Sequence, residues 1–268
     1  MRSQRDSRVA ASVPSRIASA IAKGRFGVLF WLLVATIATP VVAPDGPIIR
    51  RVMSGLLFVV MMSGLNAISN NRREFLVGIL IAVPAVALNV VGLSRSLYLM
   101  YVVSEFAYLA FFVYLAILIL RWTLQQREVD PETIYGAVSV YLLMALAWGL
   151  AYYAIALTQP GSFNWPEQEE LGVVQANRAA ALESGGRVFR RPGWEEISES
   201  AQGTLMYYSF VTLTTLGYGD IYPTSDAARI LAMLEATLGQ LYLVILVARL
   251  VGLYTSQQME ERKRAPPT

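Results

Sequence analysis

The sequence predicts an all-α membrane protein with six membrane-spanning helices, and three observations carry that prediction. Hydrophobic residues make up 55% of the 268 positions and charged ones only 15%, against about 25% charge in soluble domains, and mean hydropathy is positive at +0.47. Largely uncharged runs long enough to cross a hydrocarbon core of about 30 Å, roughly 20 residues each, recur along the chain. Those runs are apolar nearly throughout, whereas membrane strands alternate polar with apolar residues.

The six runs are Phe26–Val42, Val52–Ile68, Phe75–Leu93, Tyr98–Leu120, Thr133–Leu157 and Asp226–Tyr254. The last exceeds the core thickness, so it tilts or extends into water at one end. Before the first run stand Arg2, Arg5, Arg8, Arg16, Lys23 and Arg25 against a single acid, Asp6, which places the amino terminus in the cytoplasm by the positive-inside rule. Arg72 and Arg73, Arg121 and Arg127, and Arg262, Lys263 and Arg264 then all fall inside, as six spans require; Arg50, Arg51 and Arg95 run against the pattern. The basic leader also fits the charged region of a signal peptide ending near Ala43, which would leave five spans.

The resulting organisation is a basic cytoplasmic segment (1–25), a four-helix membrane domain (26–121), a cytoplasmic linker (122–132), a two-helix region (133–254) and a short cytoplasmic tail (255–268) in a multi-pass protein of the cell membrane. The polar stretch Thr158–Ser200, with seven acidic and four basic residues, joins spans five and six on the outer side; Glu167–Leu182 within it has the pattern of one short helix. Cysteine and histidine are both absent, which removes disulfides, thiol nucleophiles, cysteine metal sites and histidine pH switches from consideration. Without a catalytic cluster, no enzyme activity is expected.

Ahead of the last run the chain reads Thr212-Leu213-Thr214-Thr215-Leu216-Gly217-Tyr218-Gly219-Asp220. The mostly apolar segment before it, 200–214, is long enough for about four helical turns and too short to span. Together these residues resemble the pore region of tetrameric potassium channels, and the resemblance covers Thr133–Tyr254. It implies an outer helix (133–157), an extracellular loop (158–199), a re-entrant pore helix (200–214), a selectivity filter (215–220) and an inner helix (226–254). In such a filter a dehydrated potassium ion finds carbonyl oxygens from four subunits; Thr215, Leu216, Gly217 and Tyr218 would supply them here. Successive carbonyls facing one axis need backbone conformations that a Cβ resists, which accounts for Gly217 and Gly219. Thr214, Gly219, Asp220, Tyr207 and Tyr208 would support the filter, with Tyr208 bonding Asp220, and the negative end of the pore helix would help hold a cation. Leu216 departs from the valine common in the family. The expected assembly is a C4 homotetramer, one chain with three identical subunits in membrane lipid; K+ is the permeant ion, and neither a cofactor nor a nucleic-acid partner is expected.

In the inner helix, Gly239 has the family's spacing for a hinge, and helix packing is the open alternative. Gln240, Leu243, Val247 and Val251 share one helical face that would line the inner mouth and gate. Glu105 and Glu235 are acids inside apolar runs, where an unpaired charge is costly; Glu235 suits a protonated or hydrogen-bonded group behind the filter, and Glu105 a polar partner such as Asn66 or Asn89. Helix count and order are also similar to those of voltage-gated channels, but no basic residue lies between Arg95 and Arg121. At about 2.3 kcal/mol per charge per 100 mV, steep voltage gating needs several. The competing readings are a weakly selective cation channel, an ion-coupled transporter, for which paired interrupted repeats are missing, and a non-conducting assembly subunit.

Overall fold

The apolar runs fold as helices. The computed structural model describes residues 24–42, 47–68, 72–95, 97–159, 161–164 and 194–264. In chain order these form α1 (Arg25–Val42), α2 (Pro47–Ile68), α3 (Arg72–Ser94), α4 (Tyr98–Gln125), α5 (Pro131–Thr158), β1 (Phe163–Asn164), α6 (Trp194–Leu213), β2 (Tyr222–Pro223) and α7 (Asp226–Arg264). The helix expected at Glu167–Leu182 lies outside the described residues.

Among the described residues four helices are long and apolar enough to cross a membrane, namely Arg72–Ser94, Tyr98–Gln125, Pro131–Thr158 and Asp226–Met259. Among the described residues the other two runs give shorter apolar segments, Arg25–Thr39 and Gly55–Ala67, and Arg50 and Arg51 belong to α2 itself. Helix α6 begins at Trp194, several residues before the expected start of the short helix at 200.

Local chemistry sets the end of the bundle remote from the 214–220 loop. Asp130 caps α5 by accepting from the Thr133 amide at 2.8 Å, and Pro131 occupies the first turn, where its missing N–H has no partner to lose. Glu132 of that turn accepts the Phe26 amide at 3.1 Å, so one acidic side chain satisfies an orphan donor of α1. Helix α5 is the hub of the fold, packing against α1, α4, α6 and α7. Its membrane-length window is 67% buried, whereas that of α7 is 11% buried.

One apolar core lies between α1, α2, α4 and α5, around Leu33, Val60, Phe111, Phe112, Leu143 and Leu146. A second, rich in tyrosine, lies between α4, α5, α6 and β1 at the end carrying the 214–220 loop. There Tyr98 donates to the Leu157 carbonyl at 2.6 Å and the Tyr101 and Tyr153 hydroxyls meet at 2.9 Å, which satisfies polar groups that would otherwise be buried alone. Strands β1 and β2 form an antiparallel pair, Phe163 opposite Pro223 and Asn164 opposite Tyr222. With only two residues in each strand, no alternation of residue types marks the pair in advance.

Helices α3 and α4 meet closely at their turn: a Cβ added to Gly92 would lie 2.8 Å from the Tyr101 backbone nitrogen. Backbone cannot yield as a flexible side chain can, so Gly92→Ala is expected to destabilise the fold by about 1–3 kcal/mol, read as a lowered midpoint of thermal unfolding of the purified protein.

Candidate functional site

Helix α6 ends at Leu213, and its last carbonyls shape the loop beyond it. The Thr215 amide donates to Thr212 at 3.0 Å, and the Leu216 and Gly217 amides turn back to the Val211 carbonyl at 2.9 and 3.3 Å, satisfying acceptors that a helix terminus leaves open. Beyond that point alternate residues take positive φ: Thr215 at 59°, Gly217 at 59° and Gly219 at 79°. Glycine adopts this region freely, but a β-branched residue does not. Thr215 is the sole non-glycine with positive φ among the described residues, and such outliers persist only where surrounding structure enforces them.

That enforcement comes from behind. All of 214–220 is exposed in the single chain, including Leu216 at 55% and Tyr218 at 67%, while the elements on either side are anchored inward. Tyr141 of α5 donates to the Leu213 carbonyl at 3.1 Å. Gly239 of α7 admits Leu213, since an added Cβ would lie 3.0 Å from the Leu213 carbonyl oxygen and closer still to its side chain. Past the loop, Ile221 is buried, the Thr224 amide donates to Ser162 at 2.8 Å, and the Thr224 hydroxyl bonds the Gly161 carbonyl.

Asp220 is held by Tyr207, whose hydroxyl donates to it at 2.9 Å, and not by Tyr208 as the sequence led us to expect. Neighbouring positions on a helix point in directions about 100° apart, and Tyr208 is turned into the core. There it packs edge to face with Tyr152 and Phe163, the three ring centroids 5.1 to 5.5 Å from one another. Partial desolvation, and after it the bond to Asp220, hold the Tyr207 phenol above its ordinary range, so it remains a donor at neutral pH.

Glu235 of α7 is fully buried. Its carboxyl lies between Tyr152 of α5, whose hydroxyl donates to Oε2 at 2.5 Å, and the Ser209 hydroxyl of α6 at Oε1. Ser209 also contacts the Ala145 carbonyl at 2.7 Å. The other buried acid, Glu105, bonds Tyr101 rather than Asn66 or Asn89; Asn89 instead donates to Ser104 at 3.3 Å, and Glu105 Oε2 has no hydrogen-bond partner among the described residues. On α7, Gln240, Val247 and Val251 are exposed and Leu243 is half-buried. The residues of α7 that face inward are others: Tyr242 donates to the Ala137 carbonyl at 2.6 Å and Arg249 donates to the carbonyls of Leu124 and Gln126 at the end of α4.

Sequence reasoning missed Tyr141, Tyr152, Ser209, Phe163 and Arg249. A signal existed for the two tyrosines, which stand eleven residues apart and so share one face of α5. Tyr207, Tyr208, Glu235 and Gly239 lie beside or behind the 214–220 loop, whereas Val247 and Val251 flank Arg249 at the far end of the bundle and Glu105 sits apart on α4.

Tyr207→Phe removes one hydrogen bond to a charged partner, and a loss of about 1.5–3 kcal/mol is expected at the 214–220 loop, whereas Tyr208→Phe leaves Asp220 bonded. Comparing amide hydrogen exchange of residues 214–222 in the two variants checks the assignment; equal protection would contradict it.

Residues 184–256, less than a third of the chain, match the family model described as ion channel. No curated protein and no solved structure matches the chain. The matched segment holds α6, the 214–220 loop and most of α7, and with three further membrane-length helices ahead of it the match supports an ion channel in a multi-pass membrane protein.

Proposed function

We propose that this chain is one subunit of a potassium-selective channel, a C4 homotetramer that conducts K+ passively through a Thr215-Leu216-Gly217-Tyr218-Gly219-Asp220 filter. The observation that carries the reading is the alternation of positive φ at Thr215, Gly217 and Gly219. In a strand, successive carbonyls point to opposite sides; a backbone that changes hand at every residue turns them toward one side, where oxygens from four copies replace an ion's hydration shell. Thr215 to Tyr218 are the coordinating residues, with Thr214, Tyr207, Gly219 and Asp220 holding their geometry. No resident cofactor takes part.

The exposed faces support the assembly. The membrane-length part of α7 is 11% buried and presents Ile230, Met233, Leu241, Val244 and Ile245 uncovered. Leu216 and Tyr218 beside it are equally bare, and one loop cannot enclose an ion, so symmetry-related copies complete the site. Gln240, Leu243, Val247 and Val251 then line the cavity and inner mouth, where an apolar ring gates by dewetting. The α1 and α2 segments complete six spans with both termini in the cytoplasm, and α4, which holds Glu105 and no basic residue before Arg121, is not a conventional voltage sensor.

In the full chain reconstituted into liposomes, Gly217→Ala is expected to lower potassium flux about tenfold or more, because a Cβ in the left-handed region costs about 1–2 kcal/mol in every subunit. Reversal potentials in mixed potassium and sodium should follow potassium alone; following both would favour a weakly selective cation channel. Tetramers that never conduct would favour a non-conducting assembly subunit.

A further inference from the structure

Three close oxygen–oxygen contacts run through the Glu235 carboxyl and the Ser209 hydroxyl beside it: Tyr152 to Oε2, Ser209 to Oε1, and Ser209 to the Ala145 carbonyl. Each contact at hydrogen-bond distance requires a proton between its oxygens, since two lone pairs facing each other repel. The Tyr152 and Ser209 hydroxyls bring one proton each, and a carbonyl brings none. The count is one short. The third proton has a single remaining source, the carboxyl itself.

We propose that Glu235 is held as the neutral acid and acts as a pin that positions the back of the pore helix. Its Oε1–H donates to Ser209, Ser209 donates to the Ala145 carbonyl, and Tyr152 donates to Oε2. This order places every proton, and it links α7, α6 and α5 at one buried point. An ionised Glu235 would leave the Ser209–Ala145 contact without a proton and a charge without a cation. Among the described residues the ionisable side chains that face it are phenols, Tyr152 and Tyr141 from α5 and Tyr208 from α6, and none of them supplies positive charge at neutral pH.

Position gives the pin its consequence. Ser209 is one turn before Leu213, the residue whose carbonyl Tyr141 holds and whose side chain fills the space left by Gly239. Holding Ser209 therefore fixes the end of α6 from which Thr215 departs in its strained conformation. The carboxyl proton stands independently of conduction, whereas its effect on flux rests on the proposed pore.

Infrared difference spectra of the reconstituted full chain, native minus Glu235→Gln, test the proton directly. A protonated-carboxyl C=O band at neutral pH that the variant lacks is expected; carboxylate bands alone would overturn the proposal whether or not the protein conducts. For the positioning role, potassium flux and the potassium-to-sodium flux ratio are compared in native protein, Glu235→Gln and Glu235→Leu. Glutamine offers an N–H where the acid offers an O–H and should retain the native ratio, while leucine should lower flux or the ratio about tenfold in chains that elute at native size. Ser209→Ala, which removes only the bridging hydroxyl, should move both readouts in the same direction and serves if the leucine chain fails to assemble. Glutamine falling as far as leucine, or leucine behaving as native, would overturn the pin. A native chain that passes no ion would instead sink the channel reading and leave the spectrum to decide the proton.

Discussion

Thr215 sits at φ 59° in a loop whose own side is bare, and a β-branched residue does not stay in the left-handed region without being held there. The holding is done by polar groups at the rear: Tyr141 on the Leu213 carbonyl, Tyr207 on Asp220, and the carboxyl of Glu235 on Ser209 and Tyr152. The Tyr207–Asp220 bond is exposed, but the groups at Glu235 are buried, and there they stabilise only when every donor and acceptor is met, because an orphan costs the full desolvation penalty. The loop's geometry and the polar groups behind it thus stand or fall together. Anchoring from the rear leaves the front of the loop bare.

The bonds behind the loop also explain why α5 is so heavily buried. It carries Tyr141 and Tyr152 toward α6 and α7, and on its other side packs α1 and α4. Gly149 allows α6 to approach closely, an added Cβ there meeting the Met206 backbone at 3.1 Å. The first four helices are joined to the rest by more than covalent linkage. Arg249 of α7 reaches the carbonyls of Leu124 and Gln126, where the last turn of α4 has unpaired acceptors and the negative end of its dipole. Arg249 lies between Val247 and Val251, two residues proposed for the inner gate, so any shift of α4 bears on that part of α7 directly. The first four helices thus have a physical route to the pore proposed here.

Much of this was legible in the residues alone. The six apolar runs located the starts of their helices to within five positions, because the requirement to pair every backbone group in lipid leaves helix as the one conformation for such a run, while α7 runs ten residues beyond its expected end. Gly217 and Gly219 announced positive φ because no other residue takes it freely. Positive φ at Thr215 was hidden, since the residue type argues against it and only the Val211 carbonyl, gathering the amides of Leu216 and Gly217, makes the turn necessary. Tyr208 was expected on Asp220, and Tyr207 holds it instead; the rotation of α6 about its axis separates the two, and that rotation is set by what Tyr208 packs against.

The sequence by itself determined which segments are helical and where the backbone breaks from regular structure, since both depend on hydropathy, length and the absence of a Cβ, properties local to a few residues. Only the tertiary structure decided which polar groups meet. Tyr152 and Glu235 are 83 positions apart and Arg249 and Leu124 are 125 apart, and no periodicity connects them. Their pairing comes from how helices with similar apolar faces rotate against one another, a choice made by close packing at small residues and by the need to leave no buried donor or acceptor unmet.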